Sequence, residues 1–432
     1  MPSFRICPNR IGRLLLVCGI SAILSGIACA QTTTISPYSR FGPGELLFNG
    51  FAWQRAMGGT AVATEMPGAF NLVNPATYDG DSLKVFEFGL SAERIVQQQS
   101  EVEAISTNAR LEYFAIGLPF KRNRWGLAFG FVPYSGTGYS VTSNSPVDSL
   151  NSFSTEFSGA GGINRYFISN GFRVSPAISV GLNTSYVYGT TDRSRIVRYA
   201  DENFFDTRII ESTTISGFLF DLGLMWRLKL KNDSRLTIGA ACGLATSTNA
   251  ERNLIWDNFR TNAFGVDVIK DTIVSIEDQQ GKISLPLSMG FGIQWNDAEH
   301  WVMSADYRMQ DWTSYSEFGE SVPQLDRSYR ISLGAQYTND AKASAYFRKV
   351  HYRGGLFHSR TNILLRDRHV DEYGLSIGFG LPLRKAFHSQ FNVAIEALQR
   401  GTVDSNLVRE RYLRLVLGLT FNEGWFQKRR YD

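Results

Sequence analysis

Strict alternation of apolar with small or polar residues, sustained over long stretches, is what most constrains this chain. In residues 372–382 one face carries Tyr373, Leu375, Ile377, Phe379 and Leu381, the other Gly374, Ser376, Gly378 and Gly380. In 282–295, Ile283, Leu285, Leu287, Met289, Phe291, Ile293 and Trp295 oppose Ser284, Pro286, Ser288, Gly290, Gly292 and Gln294. In 412–421, Leu413, Leu415, Leu417, Leu419 and Phe421 oppose Arg414, Val416, Gly418 and Thr420. A period of two is the signature of a strand with one apolar face. A soluble antiparallel sandwich shows the same alternation, but its strands usually have about five or six residues. Strands this long, with a second face of Gly, Ser, Thr and scattered charge, predict an all-β chain folded as a transmembrane antiparallel β-barrel. After Ile27 no run of about 18 apolar residues exists, so a membrane-crossing helix is not indicated.

The first thirty residues read as a signal peptide. Arg5, Arg10 and Arg13 form a basic flank, 14–27 is a short apolar stretch, and Ala28-Cys29-Ala30 places small residues before Gln31. Cys29 admits a second reading, a lipoprotein box, although Gly26 stands where an aliphatic residue is expected. Cys7, Cys18 and Cys29 all fall in this segment, leaving Cys242 alone in the exported chain. An exported chain with no internal disulfide is stabilised some other way, and a closed sheet is one such way. Of 44 basic and 40 acidic residues, 41 and 40 remain beyond residue 30, a net charge of +1. That balance carries no footprint for nucleic acid.

Connections alternate in length. Short polar ones fall at 121–124, 231–235, 296–300, 339–342 and 384–388, with a turn at Ser175-Pro176. Longer ones fall at 99–107, 143–151, 199–205, 251–281, 317–327, 366–370 and 401–406. Counting segments over a barrel domain of 84–421 predicts about fourteen strands. An even count with short periplasmic turns puts both termini in the periplasm of an outer membrane, with 422–432 as a periplasmic tail. Trp125, Trp226, Trp295 and Trp301 lie beside short turns, as an interfacial aromatic girdle does. Glu87, Asp221, Arg227, Asp306, Arg308, Glu396 and Arg414 lie on the face expected to line the lumen, because a charge facing lipid near the midplane costs about 2–4 kcal/mol. Leu219 and Met225 share that inner face.

Residues 31–83 do not alternate. They hold Ser36-Pro37-Tyr38-Ser39-Arg40-Phe41-Gly42, Ala56-Met57-Gly58-Gly59 and Asn71-Leu72-Val73-Asn74-Pro75-Ala76, which are rich in turn formers. Their apolar and aromatic content predicts a segment folded into the lumen rather than a disordered lead. This order of features resembles the FadL/TodX family of outer-membrane transporters for hydrophobic compounds. Gly58, Gly59, Asn74, Pro75 and Ala76 are similar to that family's N-terminal hatch motifs. So are Val132-Pro133-Tyr134-Ser135 after the third strand, Leu285-Pro286 opening a strand, and Asp311-Trp312 closing the next. The opening of 36–42 and an ending with Trp425-Phe426 and Lys428-Arg429-Arg430 resemble a Bacteroidetes branch. The resemblance implies a fourteen-stranded barrel with a plug, binding of an apolar solute such as a long-chain fatty acid, and lateral release through the wall. It does not identify ligand-binding residues. The branch is also similar to accessory barrels of type IX secretion or surface-protein attachment, which leaves that alternative open.

No catalytic, cofactor or metal constellation emerges. His300, His351, His358, His369 and His388 are scattered, and none pairs with another or with a cysteine at ligand spacing. A nucleophile elbow and a P-loop are both lacking. The expected partners are outer-membrane lipid, a hydrophobic small molecule, the barrel assembly machinery during biogenesis and, on the alternative reading, secretion-system proteins. A general porin is the third reading, and it requires an unobstructed lumen.

Overall fold

The structure is a computed structural model that describes residues 34–48, 50–79, 84–121, 123–145, 152–201, 203–340, 343–383 and 389–423. The expected signal peptide at 1–30, the expected turn at 384–388 and the expected tail beyond 423 lie outside the described residues.

Fourteen antiparallel strands form one closed barrel. They are β1 (Lys84–Gln99), β2 (Val102–Lys121), β3 (Trp125–Ser145), β4 (Phe153–Arg173), β5 (Ile178–Tyr199) and β6 (Asp206–Lys229). Next come β7 in two pieces (Arg235–Gly243 and Thr246–Thr261) and β8 in two pieces (Asp267–Leu285 and Ser288–Asn296). The ring continues with β9 (Trp301–Asp311), β10 (Arg327–Thr338), β11 (His351–Leu365), β12 (Arg368–Pro382), β13 (Gln390–Arg400) and β14 (Arg409–Glu423). Strand β14 pairs with β1, opposing Leu417 to Leu90 and Arg414 to Glu93, so no edge is left at the seam. The alternation sets the faces. Leu413 and Leu415 point outward at 56% and 38% exposure, while Tyr412, Arg414 and Val416, which alternate with them, are buried.

Two local departures matter. The alternation across 282–295 predicts Ile283 and Leu285 on the outer face with Phe291 and Ile293. Instead both are buried in an inner cluster with Ile163, Leu219, Trp312 and Tyr315, while Leu287, Phe291 and Ile293 are exposed. Pro286 has no N–H for the ladder, so the strand stops at Leu285 and restarts at Ser288 with its faces exchanged. The expected long connection over 251–281 is instead a β-hairpin, whose two strands pair from Thr246↔Leu285 up to Thr261↔Asp267. Its second strand, over 267–280, is exposed or half-buried on both faces, so neither face there had to be apolar. Likewise 99–107 is mostly strand, with β2 beginning at Val102.

The wall is not uniformly closed. Strands β2 and β3 pair from Lys121↔Trp125 to Phe114↔Phe131, and among the described residues no pairing continues beyond that level. Val132-Pro133-Tyr134-Ser135 lies within β3 at a bulge, where register slips between Pro133 and Ser135 against β4. The freed edge of β3 receives a short strand of the N-terminal segment, with Glu45 opposite Gly136 and Leu46 opposite Ser135.

That N-terminal segment packs against the inner face of the wall. Phe51, Trp53, Met57, Phe70, Leu72 and Tyr78 form one apolar cluster with Tyr113, Ala115, Ala128, Phe167, Ala394 and Val416 of the strands. The molecule's main core is therefore the contact between this segment and the ring, not an interface between two sheets.

Candidate functional site

The site begins with how the N-terminal segment is seated. Gly58 and Gly59 have φ of +70° and +81°, a region that glycine enters without strain. The Gly58 N–H donates to Ser376 Oγ at 2.9 Å. A Cβ on Gly355 would lie 2.1 Å from Gly58 N, so the two backbones approach at a distance only glycine permits. Asp306 Oδ2 accepts from the N–H groups of Ala61 and Val62 at 2.5 and 2.8 Å. Asn74 caps the one-turn 3-10 helix Pro75–Tyr78, its Oδ1 accepting from Ala76 N–H at 3.1 Å. The Asn74 Nδ2 donates to Val62 O at 2.6 Å and Leu224 O at 3.2 Å, tying two parts of the segment to β6. Ala76 is fully buried. At the turn end, Arg227 reaches Glu65 and Asp79 at 2.8 Å each, and Arg173 reaches Asp79 at 2.8 Å.

A closed ring of six charges links the segment to the barrel seam. Arg55 contacts Glu112 at 2.8 Å and Glu396 at 3.3 Å. Arg110 contacts Glu112 at 3.1 Å and Glu93 at 2.8 Å. Arg414 contacts Glu93 at 2.7 Å and Glu396 at 3.1 Å. Arg55 comes from the segment, and the others from β1, β2, β13 and β14. Three guanidinium and three carboxylate groups thus compensate one another out of water, the condition under which a buried charge is tolerable. A second cluster places Arg400 at 2.8 Å from Glu45 and 2.7 Å from Glu372. Burial raises the Glu45 carboxyl pKa, but Arg400 outweighs it and holds that group below its ordinary value.

Between segment and wall lies a cavity of about 390 Å³. Leu46, Phe48, Leu219, Phe357 and Leu398 supply apolar lining, and Arg308, Arg330 and Arg400 supply cationic lining. Arg110 of β2 and Tyr134 of β3 also line it, so the cavity abuts the strands that part. Arg308 stands 4.7 Å from the Phe48 ring centre. Among the described residues no carboxylate lies within ion-pair distance of Arg308, and its Nε has no hydrogen-bond partner.

Of the residues singled out in the sequence, Glu396 and Arg414 meet in the charge ring. Asp306 and Arg227 hold the segment, Arg308 lines the cavity, and Asp221 is ion-paired with Arg165. Glu87 is buried apart from these, accepting from Thr420 Oγ1 at 2.9 Å. Glu93, Arg110, Glu112 and Arg55 were not found from the sequence. Glu93 shares the phase of Glu87 and was accessible to the same argument. Glu112 was not, because a bulge at Gly89/Leu90 puts it and Tyr113 on the inner side together.

A closed fourteen-stranded ring with its own N-terminal segment packed inside and a cavity between them is a fold shared with the FadL and TodX barrels. The chain belongs to the BamG family, whose model matches residues 11–432. Among solved structures it is similar to the Pseudomonas putida toluene transporter TodX, at 15% identity and TM-score 0.57, covering 87% of this chain and 99% of that one. It is similar to the CymD monoaromatic hydrocarbon channel, at 13% identity and TM-score 0.55, covering 88% and 99%. A Pseudomonas aeruginosa FadL homologue matches at 11% identity and TM-score 0.57, covering 88% and 99%. At these identities the likeness is one of fold. No curated protein matches the sequence.

Proposed function

We propose that this chain carries hydrophobic compounds, of the class of long-chain fatty acids, through an outer membrane, with residues 34–79 acting as a hatch. The observation that carries the reading is a cavity with apolar lining placed beside the parting of β2 and β3. An apolar solute gains about 0.8 kcal/mol per buried CH₂, so a protein pocket opening toward lipid suits it better than a watery channel. Lateral release follows from the same geometry, since displacement of the Glu45–Leu46 strand would leave the β3 edge open. The likeness to a toluene transporter, TodX, and a monoaromatic hydrocarbon channel, CymD, supports a hydrophobic solute. Both termini are then periplasmic and the 246–285 hairpin external.

The test is uptake of a long-chain fatty acid by cells lacking their own fatty-acid porin. The wild type supports uptake. Leu219→Trp, which fills the cavity, lowers it at least tenfold while the barrel stays folded. Oxidising a Leu46→Cys/Ser135→Cys pair stops release and leaves binding intact, and a reductant restores release. Uptake no greater than that of the empty host overturns the transport reading.

The second reading is an accessory barrel working with the barrel assembly machinery or with secretion partners. The family description, BamG, and the strongly charged lumen favour it. Co-purification of assembly components in mild detergent, without fatty-acid uptake, would move it ahead.

A further inference from the structure

The outer surface carries a second feature that transport does not use. On the outer face, Arg94 of β1 and Arg411 of β14 stand immediately beyond the exposed Leu90, Leu413 and Leu415. Arg94 opposes Leu413, Arg411 opposes Val96, and Arg409 opposes Gln98, so Arg94 and Arg411 are diagonal neighbours across the seam and Arg409 follows two residues along β14 on the same face. Diagonal neighbours on a sheet lie about 7–8 Å apart at their backbones, within reach of one tetrahedral anion between guanidinium groups. Their carboxylate supply is short. Arg411 contacts Glu103 at 3.0 Å, with both side chains about half exposed. Among the described residues no carboxylate lies within ion-pair distance of Arg94 or Arg409, and Arg409 Nε is buried without a partner. Glu410 turns inward to Ser36 and Tyr412, and Glu101 sits at the hairpin tip. Elsewhere on the outer face at this end, Arg360 pairs with Asp371 at 3.5 Å and Arg327 with Asp311 at 3.1 Å.

Three cations with one carboxylate, facing out where an apolar band meets the headgroup region, need an anion from the membrane itself. We propose that the β14–β1–β2 seam binds a phosphate-bearing lipid of the leaflet at the loop end, its phosphate between Arg94 and Arg411 and its acyl chains against Leu90, Leu413 and Leu415. Juxtamembrane basic clusters attract anionic headgroups in this way. The lipid would span three strands at the seam and add an outside clamp to the inside contact of Arg414 with Glu93. The site is independent of the solute proposed above.

The test uses the purified full-length barrel in detergent, with bound lipid counted by native mass spectrometry. The probes are diphosphorylated lipid A, the same lipid without phosphates, and inorganic phosphate. The wild type is expected to bind the phosphorylated lipid at least tenfold more tightly than Arg94→Gln/Arg411→Gln. The phosphate-free lipid should show no such difference, and Arg327→Gln/Arg360→Gln should bind like the wild type. Heat-dependent gel mobility confirms folding. Arg94→Gln alone, which leaves the Arg411–Glu103 pair intact, supplies the measurement if the double variant is unfolded, and a loss of at least threefold is expected. Equal lipid binding by wild type and variant overturns the proposal. So does displacement of the lipid by inorganic phosphate at equal concentration, which would mark a free-anion site.

Discussion

Arg55 is the one member of the charge ring that belongs to the N-terminal segment, so its replacement separates seating of the segment from folding of the barrel. Arg55→Met keeps a long apolar stem and removes the contacts to Glu112 at 2.8 Å, Glu396 at 3.3 Å and Phe48 O at 3.3 Å. Removing one partner of a buried ion pair costs about 3–5 kcal/mol, chiefly because the other charge is left uncompensated. Here each stranded carboxylate keeps a second partner, Glu112 with Arg110 and Glu396 with Arg414, both at 3.1 Å. The cost therefore falls at the low end, about 3 kcal/mol, or about a hundredfold in the ratio of seated to unseated segment. Single-channel recording in planar bilayers reads that ratio as the fraction of time in a high-conductance state, and protease sensitivity of 34–79 gives an independent measure. The double variant Arg55→Met/Glu112→Gln restores ring neutrality and should recover part of the loss. If Arg55→Met leaves conductance and protease sensitivity unchanged and shows no coupling to Glu112→Gln, the ring does not seat the segment, and the reasoning from buried charge is refuted.

Asp306→Ala leaves two buried N–H groups without an acceptor, each bond to a charged group contributing about 1.5–3 kcal/mol, and is expected to loosen the segment in the same recordings. Asp306→Asn, which keeps one acceptor oxygen in place, should loosen it less. Leu417→Arg sets a charge toward lipid at about 2–4 kcal/mol, and the variant is expected to lose heat-modifiable mobility on a gel; unchanged mobility would mean that this strand does not face the membrane. Gly265→Cys in a Cys242→Ser background, at the open tip of the hairpin, is expected to react with an impermeant maleimide on intact cells; labelling only after lysis would reverse the topology.

The fold was legible where one strand face meets lipid and the other does not. That is the case in 372–382 and 412–421, where the apolar phase read from the residues is the phase of exposure. Legibility ended wherever this asymmetry did. In 267–280 both faces are exposed or half-buried, so that half of a paired hairpin carries no period and the hairpin reads as a loop. At Pro286 the period persists but its meaning inverts, because the ladder breaks and the face of Ile283 and Leu285 turns inward. The site was less legible for a related reason. Charges on regular strands show their side by phase, which brought out Glu396 and Arg414. Arg55 sits in a turn-rich segment without any phase, and only the folded contact reveals that it closes the ring.

The inward glycines carry the last step. Alternation shows Gly on the inner face of many strands, which by itself says only that the lumen has room. The structure shows what fills it. Cβ atoms on Gly181 and Gly223 would lie 2.2 Å from Pro75 C and from Asn74 Oδ1, and one on Gly334 would lie 2.3 Å from Met57 O. Gly181 and Gly223 are register partners on neighbouring strands β5 and β6 and meet the same Asn74-Pro75 turn, whereas Gly334 on β10 meets Met57 beside the Gly58-Gly59 turn. An open porin lumen, bathed in water, gives no steric reason for glycine at such places, since any small polar side chain would serve. Glycine becomes necessary when another backbone lies against the wall. The wall and the segment are therefore matched along the residues that the segment's own turns, at Gly58-Gly59 and Asn74-Pro75, bring into contact. A Gly355→Ala exchange should disturb the segment's seating without opening the ring, because its methyl group points at Gly58 N and away from the strand ladder.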